Sequence, residues 1–117
     1  MGLLGVDLGS SSVKGVVFDE KGRPKLSASR SYETLRPAPN AAEADANRIW
    51  EVAADVIREL AAGQESIEAL AVSSHGESYI PVDAQGEQVG RAMMNSDNRA
   101  VAETRRLVKM LGERELY

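Results

Sequence analysis

The residues with the most chemical capacity stand near the front of this 117-residue chain, in the run Gly5-Val6-Asp7-Leu8-Gly9-Ser10-Ser11-Ser12-Val13-Lys14. It is not a Walker loop, which needs Gly-Lys-Ser/Thr opening a helix. Nor is it a Rossmann fingerprint, because no helical period follows the glycine. A hairpin tipped by Gly9, Ser10, Ser11 and Ser12 offers unhindered backbone N–H groups and three hydroxyls, a donor set suited to an anionic phosphate. Asp7 is a poor direct partner for phosphate. It becomes sensible if Mg²⁺, usually with its waters, sits between the two. Lys14 adds positive charge if its side chain turns toward the tip. A solvated hairpin with small turn residues and an exposed Asp accounts for the same pattern, and the residues alone leave both readings open.

Two further polar clusters follow. Ser73-Ser74-His75-Gly76-Glu77-Ser78 leaves the C-terminal end of an apolar run. That is where open α/β sheets place their ligand crevices. His75 and Glu77 can donate to and accept from hydroxyls, and Gly76 permits close approach. The competing reading is an ordinary strand-end histidine and a surface carboxylate. Asn95-Ser96-Asp97-Asn98-Arg99, taken alone, reads as a helix cap followed by a surface Arg.

The elements that must position these residues are legible from periodicity. Apolar runs at Leu3–Leu8 and Val13–Phe18, joined by small residues, predict a β-hairpin. Asp19-Glu20-Lys21-Gly22 predicts a turn, and Leu26, Ala28 and Tyr32 alternate with serines as in a half-buried third strand. Glu33 to Ala44, with Pro37 and Pro39, reads as loop. From Asp45, a candidate N-cap, the period becomes helical: Ile49, Ala53, Val56, Ile57 and Leu60 share a face, and Gly63 stops the helix. Trp50 on this helix is expected to anchor packing. Ile67 to Ser73, with Ala69-Leu70-Ala71-Val72 at its centre, predicts a buried strand. Tyr79 to Val82 is expected to be extended, Asp83 to Gly86 to turn, and a second helix to open after Asp97 with Val101, Thr104, Val108 and Leu111 on one face. The order β-β-β-α-β-α predicts an α/β layer with a mixed sheet. Its first three strands should pair antiparallel, and the fourth should lie parallel to the first after a helical crossover.

Composition narrows the function classes. Lys and Arg number 14 against 18 Asp and Glu, a net charge of −4, with no basic cluster to neutralise a nucleic-acid backbone, so no nucleic acid is expected as partner. The absence of Cys removes disulfides, thiolate nucleophiles and Cys-based zinc sites, and the one His rules out a His-rich metal site. Hydrophobic residues make up 43% and charged residues 27%, neither a disordered nor a membrane composition. No window approaches the roughly 18 apolar residues of a membrane span, and the apolar start is broken by Asp7. The expected state is a soluble cytoplasmic domain with no membrane partner.

With these residues in hand, the chain resembles the N-terminal part of the FGGY carbohydrate kinases, the family of xylulokinase, gluconate kinase and glycerol kinase. That family lies within the actin, sugar kinase and Hsp70 superfamily of ATPases. The opening Gly-Val-Asp-Leu-Gly-Ser-Ser-Ser-Val-Lys is similar to the family's first phosphate motif. The turn near Asp19, the acidic Glu43-Ala44-Asp45 before a Trp-bearing helix, and Asp83-Ala84-Gln85-Gly86 recur in the same order. The resemblance implies a ribonuclease H-like (actin-like ATPase) fold and ATP-dependent phosphorylation of a sugar or polyol hydroxyl, with ATP and Mg²⁺ as cofactors. It implies that Asp7 organises Mg²⁺ and phosphates, with Gly9, Ser10, Ser11 and Ser12 forming the hairpin against the γ-phosphate, beside which Lys14 is the candidate for added positive charge. It implies that His75, Gly76 and Glu77 form a sugar-binding turn, and that Asp97 and Arg99 match the family's Trp-x-Asp-x-Arg motif. Asn95 stands where that motif usually has Trp, and the turn reads Ser-His-Gly-Glu, so the pocket is not a standard xylulose pocket.

The resemblance further implies that residues 1–117 are a partial N-terminal domain of a two-domain enzyme, which admits a homodimer at full length. The adenosine-binding domain and the general-base Asp are expected beyond Tyr117, no residue of this chain being catalytic and the fragment alone inactive. An actin- or Hsp70-like ATPase fragment with a conformational role would share the hairpin but lack the polar turn. A module that binds a partner protein is a third class, without a large apolar stripe to recommend it.

Overall fold

The computed structural model describes residues 2–63 and 66–115. Strands β1 (Gly2–Leu8), β2 (Ser12–Phe18), β3 (Pro24–Ser31) and β5 (Ile67–Ser74) form a mixed sheet in the order β3-β2-β1-β5. β1–β2 and β2–β3 are antiparallel, and β5 lies parallel to β1, as the period and the crossover predict. A short antiparallel pair, β4 (Glu43–Ala44) with β6 (Ala92–Met93), stands apart from this sheet.

Helix α1 (Ala46–Ala62) crosses between β3 and β5. Asp45 caps it, its carboxylate accepting from Asn47 N at 2.9 Å and, more weakly, from Arg48 N at 3.4 Å. Its buried residues Val52, Ala53, Val56 and Leu60 pack on Leu4 and Val6 of β1 and Val13 and Val17 of β2. Each large aliphatic side chain so enclosed contributes about 1.5–3 kcal/mol. The strands alternate, so the face of β1 opposite this core carries Leu3, Gly5 and Asp7.

Several expectations need correction. β5 forms, but it is not buried: Leu70 is 48% and Val72 57% exposed, because α1 packs mainly over β2 and β3 and only lightly on β1, which leaves the β5 edge of the sheet open. Trp50 is 70% exposed and forms the rim of an apolar groove with Val6, Leu8, Ile49, Ile57 and Val72, rather than anchoring the core. Leu26 is also exposed, on the outer strand β3. The stretch expected to be loop contains β4, since Glu43 pairs with Met93 and bridges to Leu35. Tyr79 and Val82 make only isolated bridges, to Met93 and Gln88. Helix α2 (Val101–Leu111) starts later than expected, with Ala100 at its N-cap and no side-chain cap, and none of its residues is buried. A 3₁₀ turn, Glu113–Glu115, follows it. No helix among the described residues is long and apolar enough to cross a membrane.

Candidate functional site

Because β1 and β5 run parallel, their C-terminal ends finish side by side, and β2 begins at the same end of the sheet. Asp7 lies opposite Lys14 on β2 and opposite Ser73 on β5, so the three share the sheet face turned away from α1. Ser73 Oγ donates to Asp7 Oδ1 at 2.7 Å, which holds one carboxylate oxygen and leaves the other available. Lys14 is exposed on this face and forms no ion pair with Asp7.

The bend from Gly9 to Ser12 is closed on one side only. Gly9 N donates to Ser12 O at 2.9 Å, but no bond returns from Ser12 N to Gly9 O. Among the described residues nothing accepts from the amides of Ser10 or Ser11. A Cβ at Gly9 would stand 3.0 Å from Ser12 O and 3.6 Å from Asp7 Oδ2, so glycine keeps the approach to the carboxylate open. Free amides next to one half-free carboxylate fit a phosphate with its Mg²⁺. The ion takes one or two protein carboxylates and completes its shell with phosphate oxygens and water. No group of three or more His, Asp or Glu side chains that could hold a metal ion by themselves occurs among the described residues.

His75 lies beside this bend with its ring turned inward. Its backbone N–H and its Nδ1 both reach Leu8 O, at 3.0 and 2.9 Å. A carbonyl only accepts, so the hydrogen-bond pattern assigns the ring proton to Nδ1. Nε2 then accepts from Ser78 Oγ at 3.1 Å, and Ser78 Oγ accepts from Asn95 N at 3.1 Å. Both ring nitrogens are occupied within the protein. Glu77 is exposed and has a left-handed backbone, φ 61°, a conformation that costs a non-glycine residue about 1 kcal/mol or more. A Cβ on Gly76 would meet nothing, so this turn is open on its outer side.

Asp97 and Arg99 form a separate clamp. The Asp97 carboxylate accepts from Ala42 N at 2.8 Å, Arg99 N at 3.0 Å and Arg99 Nε at 2.9 Å. These bonds, the Arg99 guanidinium foremost, hold its pKa down to about 2. Arg99 also bridges to Glu43 at 2.9 Å, and its own pKa is raised by Asp97 first and Glu43 after. The pair thus ties β4 to the segment following β6, where Asn98 N donates to Asn40 O and Met94 N to Ala42 O. The structure brings Asp7, the serine bend and His75 together; Asp97 and Arg99 bond to none of them and lie two and four residues along the chain from Asn95, whose N–H donates to Ser78 Oγ.

Sequence reading did not find Tyr32, which holds the bend from behind, nor the roles of Ser78 and Glu43. Tyr32 N donates to Ser11 O at 3.1 Å, and the phenol donates to Gly9 O. Alternation marked Tyr32 as inward-facing, but nothing in the pattern says which carbonyls its polar end would meet.

The mixed sheet thus carries a glycine–serine bend at the carboxyl end of β1, beside the carboxyl end of the parallel strand β5. Residues 2–117 match the model of the FGGY family of carbohydrate kinases, N-terminal domain, and the chain belongs to that family. It is 31% identical over 101 residues to a probable L-xylulose kinase of Haemophilus influenzae, covering 83% of this chain and 21% of that protein. It is 32% identical over 103 residues to a glycerol kinase of Acidovorax ebreus, covering 84% and 21%. The fold matches a ligand-bound xylulose kinase from Lactobacillus acidophilus with a TM-score of 0.94 at 24% identity, over 99% of this chain and 24% of that one. The chain spans about a fifth of the length of the curated relatives it matches.

Proposed function

We propose that this chain serves ATP-dependent phosphorylation of a sugar or polyol hydroxyl, as one wall of a two-part cleft whose other wall, with the adenosine pocket, lies in the remaining length of the family's proteins. The observation that carries this reading is the pairing of Asp7, half free, with a bend whose Ser10 and Ser11 amides lack acceptors. In this reading the hydroxyl oxygen attacks the γ-phosphorus in line, the bond to the β,γ-bridging oxygen breaks, and ADP leaves. The hydroxyl proton passes to a carboxylate base outside these residues. Mg²⁺, when bound, neutralises charge on the phosphate oxygens, and Asp7 is the residue to hold it. Ser73 orients Asp7, and the bend from Gly9 to Ser12 presents the Ser10 and Ser11 N–H groups to the transferred phosphoryl group, with Lys14 adding charge on the same face. Glu77 and Gly76 line the open turn toward the acceptor, His75 fixes that turn to β1, and Asp97 with Arg99 shapes the wall behind it. Such an enzyme works where ATP is abundant, in the cytoplasm.

The test is Asp7→Asn in the full-length protein, assayed for ADP release with a panel of ketoses and polyols. Turnover should fall by at least about 100-fold, the scale of losing a fixed charge at a phosphoryl-transfer site. Unchanged turnover with every accepted sugar would reject the role given to Asp7.

A further inference from the structure

We propose that Tyr32 is a positioning residue for the phosphate-binding bend, setting which way its peptide planes face; this rests on the reading of that bend as the γ-phosphate site. Tyr32 follows β3 and is 8% exposed, so its phenol is fixed in the core rather than waving at the surface. It grips the bend twice from one side. Its N–H donates to Ser11 O at 3.1 Å and its hydroxyl donates to Gly9 O. Burial raises the phenol's pKa, so the hydroxyl stays protonated, as a donor must.

The consequence follows from peptide geometry. In a planar trans peptide the C=O of one residue and the N–H of the next point in opposite directions. With Gly9 C=O drawn toward Tyr32, the N–H of Ser10 must face away, out of the bend. A two-residue hairpin loop would ordinarily close with a second bond between the residues flanking it, here Ser12 N–H to Gly9 C=O. That bond is absent, and the Gly9 carbonyl is instead held by Tyr32. Tyr32 therefore keeps the bend open, with its amides turned to a ligand in place of one another. Removing the hydroxyl frees Gly9 C=O to rotate back onto Ser12 N–H, which closes the bend and turns the Ser10 amide inward.

The test uses the full-length protein with Tyr32→Phe, which keeps the ring and removes the donor. The Kd for ATP, measured calorimetrically without sugar, should rise about tenfold, the scale of one hydrogen bond to a buried polar group. The Kd for ADP should change less than twofold, because only the γ-phosphate meets the bend, and KM for the sugar should hold. A proportional loss for both nucleotides, or no loss for either, overturns the proposal, since a merely structural Tyr32 would not separate them. If Tyr32→Phe does not fold, hydrogen exchange on the wild type decides: ATP should slow exchange at the Ser10 and Ser11 amides and ADP should not, and equal protection overturns it. Asp7→Asn, run alongside, separates the two ideas. Loss of turnover there with an unaffected Tyr32→Phe rejects Tyr32's role alone, while full turnover in Asp7→Asn rejects the phosphate site itself.

Discussion

Gly15 lies directly under Leu60, so close that no side chain fits between strand and helix. A Cβ built on Gly15 would stand 2.5 Å from Leu60 Cδ1 and 2.9 Å from Val56 Cγ1. This contact sets how near α1 approaches β2. Because Val13 at the mouth of the bend packs in the same core, the helix fixes the base of the site.

Gly15→Ala should therefore destabilise the protein by about 1–3 kcal/mol, the cost of overpacking a filled core. Leu60 can swing its end away, but Val56 is branched at Cβ and has little freedom in a helix. Urea unfolding measures the change. A loss below about 0.5 kcal/mol would show that α1 rides up without strain.

Asp45 caps α1 and also accepts from Gln88 Nε2 at 3.0 Å, while Gln88 Oε1 accepts from Ala46 N at 3.1 Å. That lateral bond is the largest cause of its lowered pKa. Asp45→Ala removes the cap and leaves Gln88 without its acceptor, so a loss of about 1–2 kcal/mol is expected. Asp45→Ser should recover most of it. Equal losses from the two substitutions would mean that the charge, rather than the cap, matters.

The Asp97–Arg99 clamp carries a pH signature. Asp97 has a folded pKa of about 2 against an ordinary 3.8. A depressed carboxylate stabilises the fold above its unfolded pKa, and that stabilisation is lost as pH falls through the folded value. The stability gap between wild type and Asp97→Asn should be constant above about pH 5, shrink below about pH 4 and vanish near pH 2. A gap that holds its size down to pH 2 would show that the carboxylate's charge is not what binds Ala42 and Arg99.

The elements read most clearly from the sequence are those with long periodic runs. Val13, Val17 and Leu4 alternate and Val56 and Leu60 recur at helical spacing, so the hairpin, α1 and its cap at Asp45 could be placed from residue types alone. β4 and β6, each of two residues, have no period to read; they exist because Glu43 and Ala44 find Met93 and Ala92 across the fold. Asp97 looks like a helix cap in isolation. Its carboxylate instead serves Ala42, 55 residues away, and Arg99, so α2 starts later without it. Leu70, Val72 and Trp50 are apolar and were expected inside, yet burial depends on what lies against a residue as well as on its type. In the site, Asp7 and the serine bend were identifiable as a motif, whereas Tyr32's grip is a tertiary contact no local pattern records.

Sequence separation puts the supports of the serine bend in a temporal order. The grip of Tyr32 on Gly9 closes over 23 residues, whereas Ser73 reaches Asp7 across 66 and His75 reaches Leu8 across 67. Short loops close sooner and at lower entropic cost than long ones. A nascent chain can thus shape the serine bend as soon as Tyr32 emerges after β3, and acquires an oriented Asp7 carboxylate only when the parallel strand arrives. The cradle would precede the charge that serves it.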